Sequence, residues 1–311
     1  MSTKALLNAA DVAGLHISGS SQNAPAGSMV QVVLTDGAGQ TCSLKAQVGS
    51  DGHWSVALPS GLSDGALQIK AYVNVNHPVE LSLGYDGTAP AAPATAPAVQ
   101  AGSDTGASPT DGITSDSRPV FDVTALPADA SGMQLLVDGV AVPAVYDSQT
   151  QTLRPVQALE QGAHNMQFRY VDAAGNEGAA GSSQRIDVDS QAPTTTVLGL
   201  QLSHDTGDSP TDWITREVSQ TISGTLSAAL GGDEKLYGSL DGGLTWTDIS
   251  ASVDGTQLSW TGANLLPSQG TVVLKVVDAA GNEILSPSQS YTQDGTAPAA
   301  PATAPAVQAG S

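Results

Sequence analysis

Eighteen residues occur twice, letter for letter. DGTAPAAPATAPAVQAGS runs from Asp86 to Ser103 and again from Asp294 to Ser311, an offset of 208 residues. A diverged copy, DSQAPTTT, begins at Asp189, so the two spacings are 103 and 105 residues. Self-similarity at this period marks an array of whole domains, each one turn of a repeating chain. Three such periods use up nearly all of the 311 residues. The expected bounds are repeat one at 1–85, repeat two at 86–188 and repeat three at 189–293. Residues 294–311 then carry a linker and the start of a further repeat. A period of about 100 residues is an ordinary domain size, able to bury a modest core without staples.

Inside each period the chain reads as short segments of period-2 alternation separated by Gly, Asp, Asn and Pro. Repeat three gives Val197–Ser203 as strand A and Glu217–Thr225 as strand B. A hairpin of Lys235–Leu240 and Leu244–Ile249 turns at Asp241-Gly242-Gly243. Gln257–Trp260, Thr271–Val277 and Leu285–Thr292 complete it. Repeat two follows the same plan through Arg118–Thr124, Met133–Val137, Val140–Tyr146 and His164–Val171. Seven short strands in about 100 residues, without helical periodicity, predict an all-β fold of tandem immunoglobulin-like β-sandwich domains. In repeat one, HISGS within Gly14–Ser20 aligns with TISGT within Ser219–Leu226, but too few residues precede it to supply strand A. The Pro- and Ala-rich linkers at 88–97, 191–193 and 296–305 predict stiff spacers and an extended rod, because proline fixes φ and pushes its neighbour to extended geometry.

Composition narrows the partners. Thirty acidic residues against 10 basic give a net charge of −20, which argues against nucleic acid and anionic membrane surfaces. No apolar run reaches the roughly 18 residues of a membrane span. The first ten residues lack the apolar core of a secretory signal, so any export signal is expected elsewhere in a longer protein. The lone Cys42 forms no internal disulfide and reads as a buried thiol.

Two acidic motifs recur in phase with the domains. DTGASPTDGIT at Asp104–Thr114 is matched by DTGDSPTDWIT at Asp205–Thr215, and VDAAGNE at Val171–Glu177 recurs at Val277–Glu283. Each linker adds an acid: Asp86, Asp187 with Asp189, and Asp294. In a seven-stranded sandwich the A–B loop, which holds the DTG…TD motif, lies at the pole where strand G exits, and the F–G loop, which holds DAAGN, lies at the opposite pole. The A–B loop of one repeat therefore faces the F–G loop of the next, with the linker acid between them. At the joint of repeats two and three this gathers Asp104, Asp111, Asp187, Asp189, Asp278 and Asn282. Crowded carboxylates repel without a cation, and hard oxygen donors suit Ca²⁺ better than the stricter Mg²⁺. The joint of repeats one and two is poorer, with Asp86, Asp172 and Asn176 facing only Asn8 and Asp11. Asp205, Asp212 and Asp294 are the corresponding set at the far end of repeat three. The competing reading is that these Asp, Gly and Asn residues merely form Asx-capped turns.

The ISGT-type strands, DGHWSV at Asp51–Val56, the DTGxSxTDxIT loop, the DAAGN turn and the DxTAP linker together resemble bacterial Ig-like tandem repeats. Such repeats build giant type I-secreted, RTX-type adhesins and biofilm-associated proteins. The resemblance covers essentially the whole chain and implies a secreted, cell-surface extender, rigidified by Ca²⁺, that holds a distal adhesive domain away from the cell. It implies neighbouring repeats as partners and a monomeric state. The missing DTG and DAAGN motifs of repeat one depart from the pattern and leave its outer site in doubt.

A ligand-binding module for a glycan or protein is the alternative function, with Trp213 in the acidic loop as the candidate aromatic contact. The structural reading of Trp213 is a hydrophobic plug. No enzyme emerges: SLDGGLTW at Ser239–Trp246 matches an Asp-box turn, which is a structural hairpin, and the five histidines are scattered. Trp54 and Trp246 read as packing residues. The open strand-A position of repeat one and the surplus strand-A segment at the C-terminal end also predict a head-to-tail strand addition between copies.

Overall fold

A computed structural model describes residues 6–73 and 78–300. Contacts divide the chain into two units: residues 1–100 with 118–186, and residues 101–117 with 187–311. Among the described residues, beyond one four-residue helix, Ala9–Val12, and one turn of 3₁₀ helix, the regular structure is β. No helix among the described residues is long and apolar enough to cross a membrane.

In the first unit, repeat one forms a five-stranded sheet in the order Leu6–Leu7, Val79–Tyr85, Gly65–Tyr72, Met29–Thr35 and Thr41–Gln47. Strict alternation in Met29–Thr35 sends Val30, Val32 and Leu34 into the core, at 0–1 % exposure, and leaves Met29 and Gln31 outside. The facing sheet has two strands, His16–Ser20 and His53–Ala57, so among the described residues the strand-A position beside His16–Ser20 is unfilled. Trp54 is buried there against Gly19, where a Cβ would come within 2.6 Å of the indole. Cys42 is half-buried, on a strand facing partly outward. Repeat two places Ala144–Asp147, Thr152–Pro155, Phe121–Asp122 and Ala98–Val99 in one sheet. Val140–Val142, Gly132–Val137, Gly162–Val171 and Gln184–Val188 follow one another in the other, the last strand running on into the second unit. Phe121, Leu135, Leu153, Met166, Phe168 and Ile186 fill the space between them.

In the second unit, repeat three pairs Val197–Leu202, Ser219–Leu226, Gln257–Asn264 and Val253–Asp254 in one sheet. The other runs Ile214–Thr215, Gln289–Gln293, Ser268–Val277, Lys235–Ser239 and Thr247–Asp248. Ile222, Leu236, Trp260, Leu274 and Tyr291 lie in its core.

Four strands expected from sequence come out broken. Arg118–Thr124 is strand only at Phe121–Asp122, and Val140–Tyr146 splits into Val140–Val142 and Ala144–Asp147, which join different sheets. Leu244–Ile249 is strand only at Thr247–Asp248, because Asp241 accepts the Thr245 N–H and hydroxyl and holds the preceding residues in a closed loop. Leu285–Thr292 splits into Glu283–Leu285 and Gln289–Gln293.

Each repeat closes with the same parallel contact. The residues after the A–B loop pair with the end of the last strand in the registers Leu7↔Tyr85, Thr114↔Val188 and Thr215↔Gln293. The linker acid then continues the ladder. The N–H groups of Asp86, Asp189 and Asp294 donate to the carbonyls of Leu7, Thr114 and Thr215 at 2.9, 2.8 and 2.9 Å. The first linker is not a free tether. Pro90 and Pro93 are buried against Gly178 and Gly181, where any Cβ would meet the proline carbonyls at 2.5 and 3.0 Å. The C-terminal copy of the linker and strand-A segment lies mostly outside the described residues, as does the segment 74–77 that replaces DAAGN in repeat one.

Candidate functional site

The recurrent motifs meet at two joints, one inside each unit. The turn Asp172–Asn176 is closed from within: Asp172 accepts the Asn176 backbone N–H and side-chain amide, both at 2.8 Å. Asp278 receives the same pair from Asn282 at 2.9 Å each. Glycine at the fourth position is required by φ, +89° at Gly175 and +85° at Gly281. The second proton of each Asn amide goes to the backbone carbonyl of the linker acid, Asn176 to Asp86 and Asn282 to Asp189, both at 2.7 Å. The two asparagines thus fasten the F–G turn to the incoming linker. Burial raises the Asp172 carboxyl, but the Asn176 amide and the N–H groups of 174–176 outweigh it and hold the group below its ordinary range.

The linker acids use their carboxylates locally. Asp86, Asp189 and Asp294 each accept the N–H two residues on, from Thr88, Gln191 and Thr296, at 3.2, 3.0 and 2.9 Å. These are Asx turns that set the direction of the linker. Asp187 pairs its N–H with the Gly112 carbonyl at 2.7 Å.

The A–B loop supplies the rest. In the second unit the Thr105 hydroxyl donates to the Ala280 carbonyl at 2.5 Å. Gly106 lies so close to the turn that a Cβ there would sit 2.0 Å from the Ala279 oxygen. Asp104 is 6 % exposed; its Oδ2 accepts the Gly112 N–H at 3.2 Å, while its Oδ1 has no partner. Burial, joined by the charge of Asp111 beside it, pushes the Asp104 carboxyl up despite the Gly112 N–H. Asp205 repeats this arrangement: its Oδ2 accepts the Trp213 N–H at 2.9 Å, and its buried Oδ1 is unpartnered. Asp111 and Asp212 each accept the N–H two residues on, at 3.0 Å, and are exposed.

The structure therefore brings the sequence-expected elements together but does not pool their carboxylates. Among the described residues no three His, Cys, Asp or Glu side chains converge on one metal position. Asp172, Asp278 and the linker acids turn towards N–H groups of their own turns, which the sequence pattern alone does not reveal. What does fit a hard cation is narrower: an orphaned, buried carboxylate oxygen at Asp104, with the Asp111 carboxylate beside it, and a second orphaned oxygen at Asp205. A buried anionic oxygen without a donor is costly unless it is paired or coordinates a metal. Two participants were missed. Thr105 was not singled out, although it recurs in phase as Thr206, and Asn8 was noted only as a weak neighbour.

The glycan alternative loses its carrier. Trp213 is 6 % exposed and belongs to the core of repeat three. Its φ of +62° matches the +75° of Gly112 at the same loop position, so the indole is turned inward as a plug. A cavity of about 360 Å³ beside the Asp278–Asn282 turn is lined by Tyr237, Trp246 and Lys275. Its aromatic wall is already covered by the Lys275 ammonium, 4.5 Å from the Trp246 ring and paired with Glu283 at 2.6 Å. The Asp-box hairpin is self-satisfied: hydrogen bonds from the Thr245 hydroxyl first, and then from the Thr245 N–H and Ser239, hold Asp241 far below the usual carboxylate range.

Residues 91–190 match the family model described as bacterial Ig-like domain. Among solved structures, the chain is similar to a tetra-tandem repeat in the extending region of a large adhesion protein. The identity is 20%, with a TM-score of 0.22, covering 90% of this chain and 70% of that one. It is similar at 18% identity and TM-score 0.27, over 93% of both chains, to a structure concerning host cell surface retention of a 1.5-MDa bacterial ice-binding adhesin. Fibronectin(III)-like modules of Clostridium thermocellum CbhA match at 10% identity and TM-score 0.35, covering 59% of this chain and 88% of theirs. No curated protein matches the sequence. These structural likenesses are too loose to carry function.

Proposed function

From the membership of residues 91–190 in the bacterial Ig-like domain family, we propose that this chain is an extender segment of a secreted bacterial surface adhesin. Its repeats act as spacers that hold a distal adhesive domain away from the cell, and their principal partners are one another. The observation that supports this reading best is the fastening made twice with the same atoms. Asn176 and Asn282 each hold a linker-acid carbonyl at 2.7 Å while closing their own turn on Asp172 and Asp278. A duplicated joint serves a chain whose task is to control how one repeat follows the next.

Calcium is part of the proposal. Asp104 and Asp111 would hold it, with Asp205 and Asp212 as the equivalent pair in repeat three, and backbone carbonyls supplying further oxygens. When bound, the ion neutralises the buried Asp104 oxygen that no protein donor reaches. The protein's own residues do the remainder: Gly112 N–H orients Asp104, and Thr105 ties the loop to Ala280.

Scattering and melting of the full chain, with calcium and with chelator, test both parts. The expected result is a longer particle, at about 40 Å per repeat from strands of roughly 8 residues and their loops, and a higher melting temperature in calcium. Asp104→Asn should raise the stability of the calcium-free protein and remove the calcium response. Length and melting temperature that chelation leaves unchanged would reject calcium.

A further inference from the structure

The carbonyl of Ala280 takes its hydrogen bond from the Thr105 hydroxyl. The equivalent carbonyl in the first unit, that of Ala174, takes its bond from the side-chain amide of Asn8 at 3.1 Å. These donors reach the same target from different places. Asn8 follows Leu7, whose carbonyl accepts the Asp86 N–H, just as Ser115 follows Thr114, whose carbonyl accepts the Asp189 N–H. Ser115 supports Thr105 through its own N–H and hydroxyl, at 2.7 and 2.9 Å. At the corresponding position Asn8 reaches the turn itself.

Both ends of the Asn8 amide are committed. Its Oδ1 accepts the Asp11 N–H at 2.8 Å, and Asp11 returns a carboxylate oxygen to the Asn8 N–H at 2.9 Å, a capping box for Ala9–Val12. The box fixes the rotamer and aims Nδ2 at Ala174. Asn8 is 8 % exposed, and Gly175 leaves just enough room, with its absent Cβ 3.5 Å from Nδ2. The electrostatics of the two joints differ accordingly. Buried side-chain oxygens without a partner, among the described residues, occur only at Asp104 and Asp205, neither of which lies in the first unit.

We infer that Asn8 is the positioning residue of a metal-free lock: a neutral amide closes the joint of repeats one and two, which holds without a cation. Of the two joints, only that of repeats two and three, at Asp104–Asp111, responds to calcium. The contrast between the two joints rests on the calcium reading above; the Asn8 lock does not.

Backbone hydrogen exchange of the full chain, in calcium and in chelator, separates the two. Chelation should speed exchange at 278–284 and leave 172–178 unchanged. Asn8→Asp keeps an oxygen for the helix cap but removes the Nδ2 donor, so it isolates the lock from capping. It should speed exchange at 172–178 about tenfold in either condition, the loss of one buried hydrogen bond, while Asn8→Ala does so and also frays 9–12. Exchange at 172–178 that neither substitution alters would overturn the lock. Chelation that loosens both turns equally would overturn the metal-free joint. If chelation affects neither turn while Asn8→Asp exposes 172–178, the lock stands and the calcium reading falls.

Discussion

The turns Asp172–Asn176 and Asp278–Asn282 have the same sequence, the same internal hydrogen bonds and the same grip on a linker carbonyl, yet they are received by different surfaces. In the second unit the receiving loop presses its backbone against the turn, with Gly106 touching Ala279 and Gly281. In the first, a side chain, Asn8, makes the approach and the backbones stay apart. Identical motifs can therefore carry different tolerances, because the tolerance belongs to the surface that receives the motif.

The matched glycines should show the largest difference between the two joints. Both Gly175 and Gly281 sit at positive φ, so alanine at either costs about 1 kcal/mol for the left-handed backbone alone. At Gly281 the new Cβ would also lie 2.9 Å from the Gly106 backbone, adding about 2 kcal/mol for a contact that backbone must relieve. Urea unfolding should thus show a loss of about 3 kcal/mol for Gly281→Ala and about 1 for Gly175→Ala. Equal losses would mean that the receiving backbone yields freely and that the two joints are alike.

The asparagines come next. Each alanine substitution removes two hydrogen bonds, one to the turn carboxylate and one to the linker carbonyl, for about 2 kcal/mol. Asp172 is buried and Asp278 only half-buried, so thermal melts in chelator should find Asn176→Ala the more damaging by a few tenths of a kcal/mol. The opposite order would place the main support of these turns outside the asparagine.

Titration gives the smallest and most specific contrast. Asp172 sits below the ordinary value of 3.8, so its contribution to stability is present above that value and is lost as pH falls through its folded pKa. Asp104 sits above 3.8, so its contribution is favourable only in acid and is lost as pH rises through its folded pKa. Carboxyl-carbon NMR in chelator should find the midpoint of Asp104 above 3.8 and that of Asp172 below it. The reverse order would remove the argument for an unpaired charge at Asp104.

Much of the fold could be read from the sequence, because alternation and turn residues are local signals. Val197–Ser203 and Met133–Val137 were read to within a residue of the observed Val197–Leu202 and Gly132–Val137. Among the described residues HISGS pairs only with His53–Ala57, at the place where alignment leaves too few residues for a strand A. The hairpin arm at 244–246 was lost to Asp241, whose side-chain hydrogen bonds compete with the ladder and leave no mark on hydrophobic period. The joint was legible as a place and not as a bonding pattern. Pole-to-pole topology correctly brought the A–B loop to the F–G turn. Whether Asp278 faces a neighbour or its own Asn282 depends on a side-chain torsion that spacing does not encode. The short helix Ala9–Val12 went unread, although Asn8 and Asp11 carry the N-cap and N3 residues of a capping box. Trp213 shows the reverse case. Its two readings, hydrophobic plug and exposed contact, could not be separated by spacing, and burial in the core of repeat three bears out the plug.

The parallel pairing that closes every repeat has a mechanical consequence. Leu6–Leu7, Ile113–Thr114 and Ile214–Thr215 run parallel to the strands by which the chain leaves each repeat. A pull applied between the two ends of a repeat drags these neighbouring strands lengthwise past each other. Their hydrogen bonds, and the one from the following linker acid, must then give way together instead of unzipping singly. A load along the chain would then meet each sandwich in its most resistant direction.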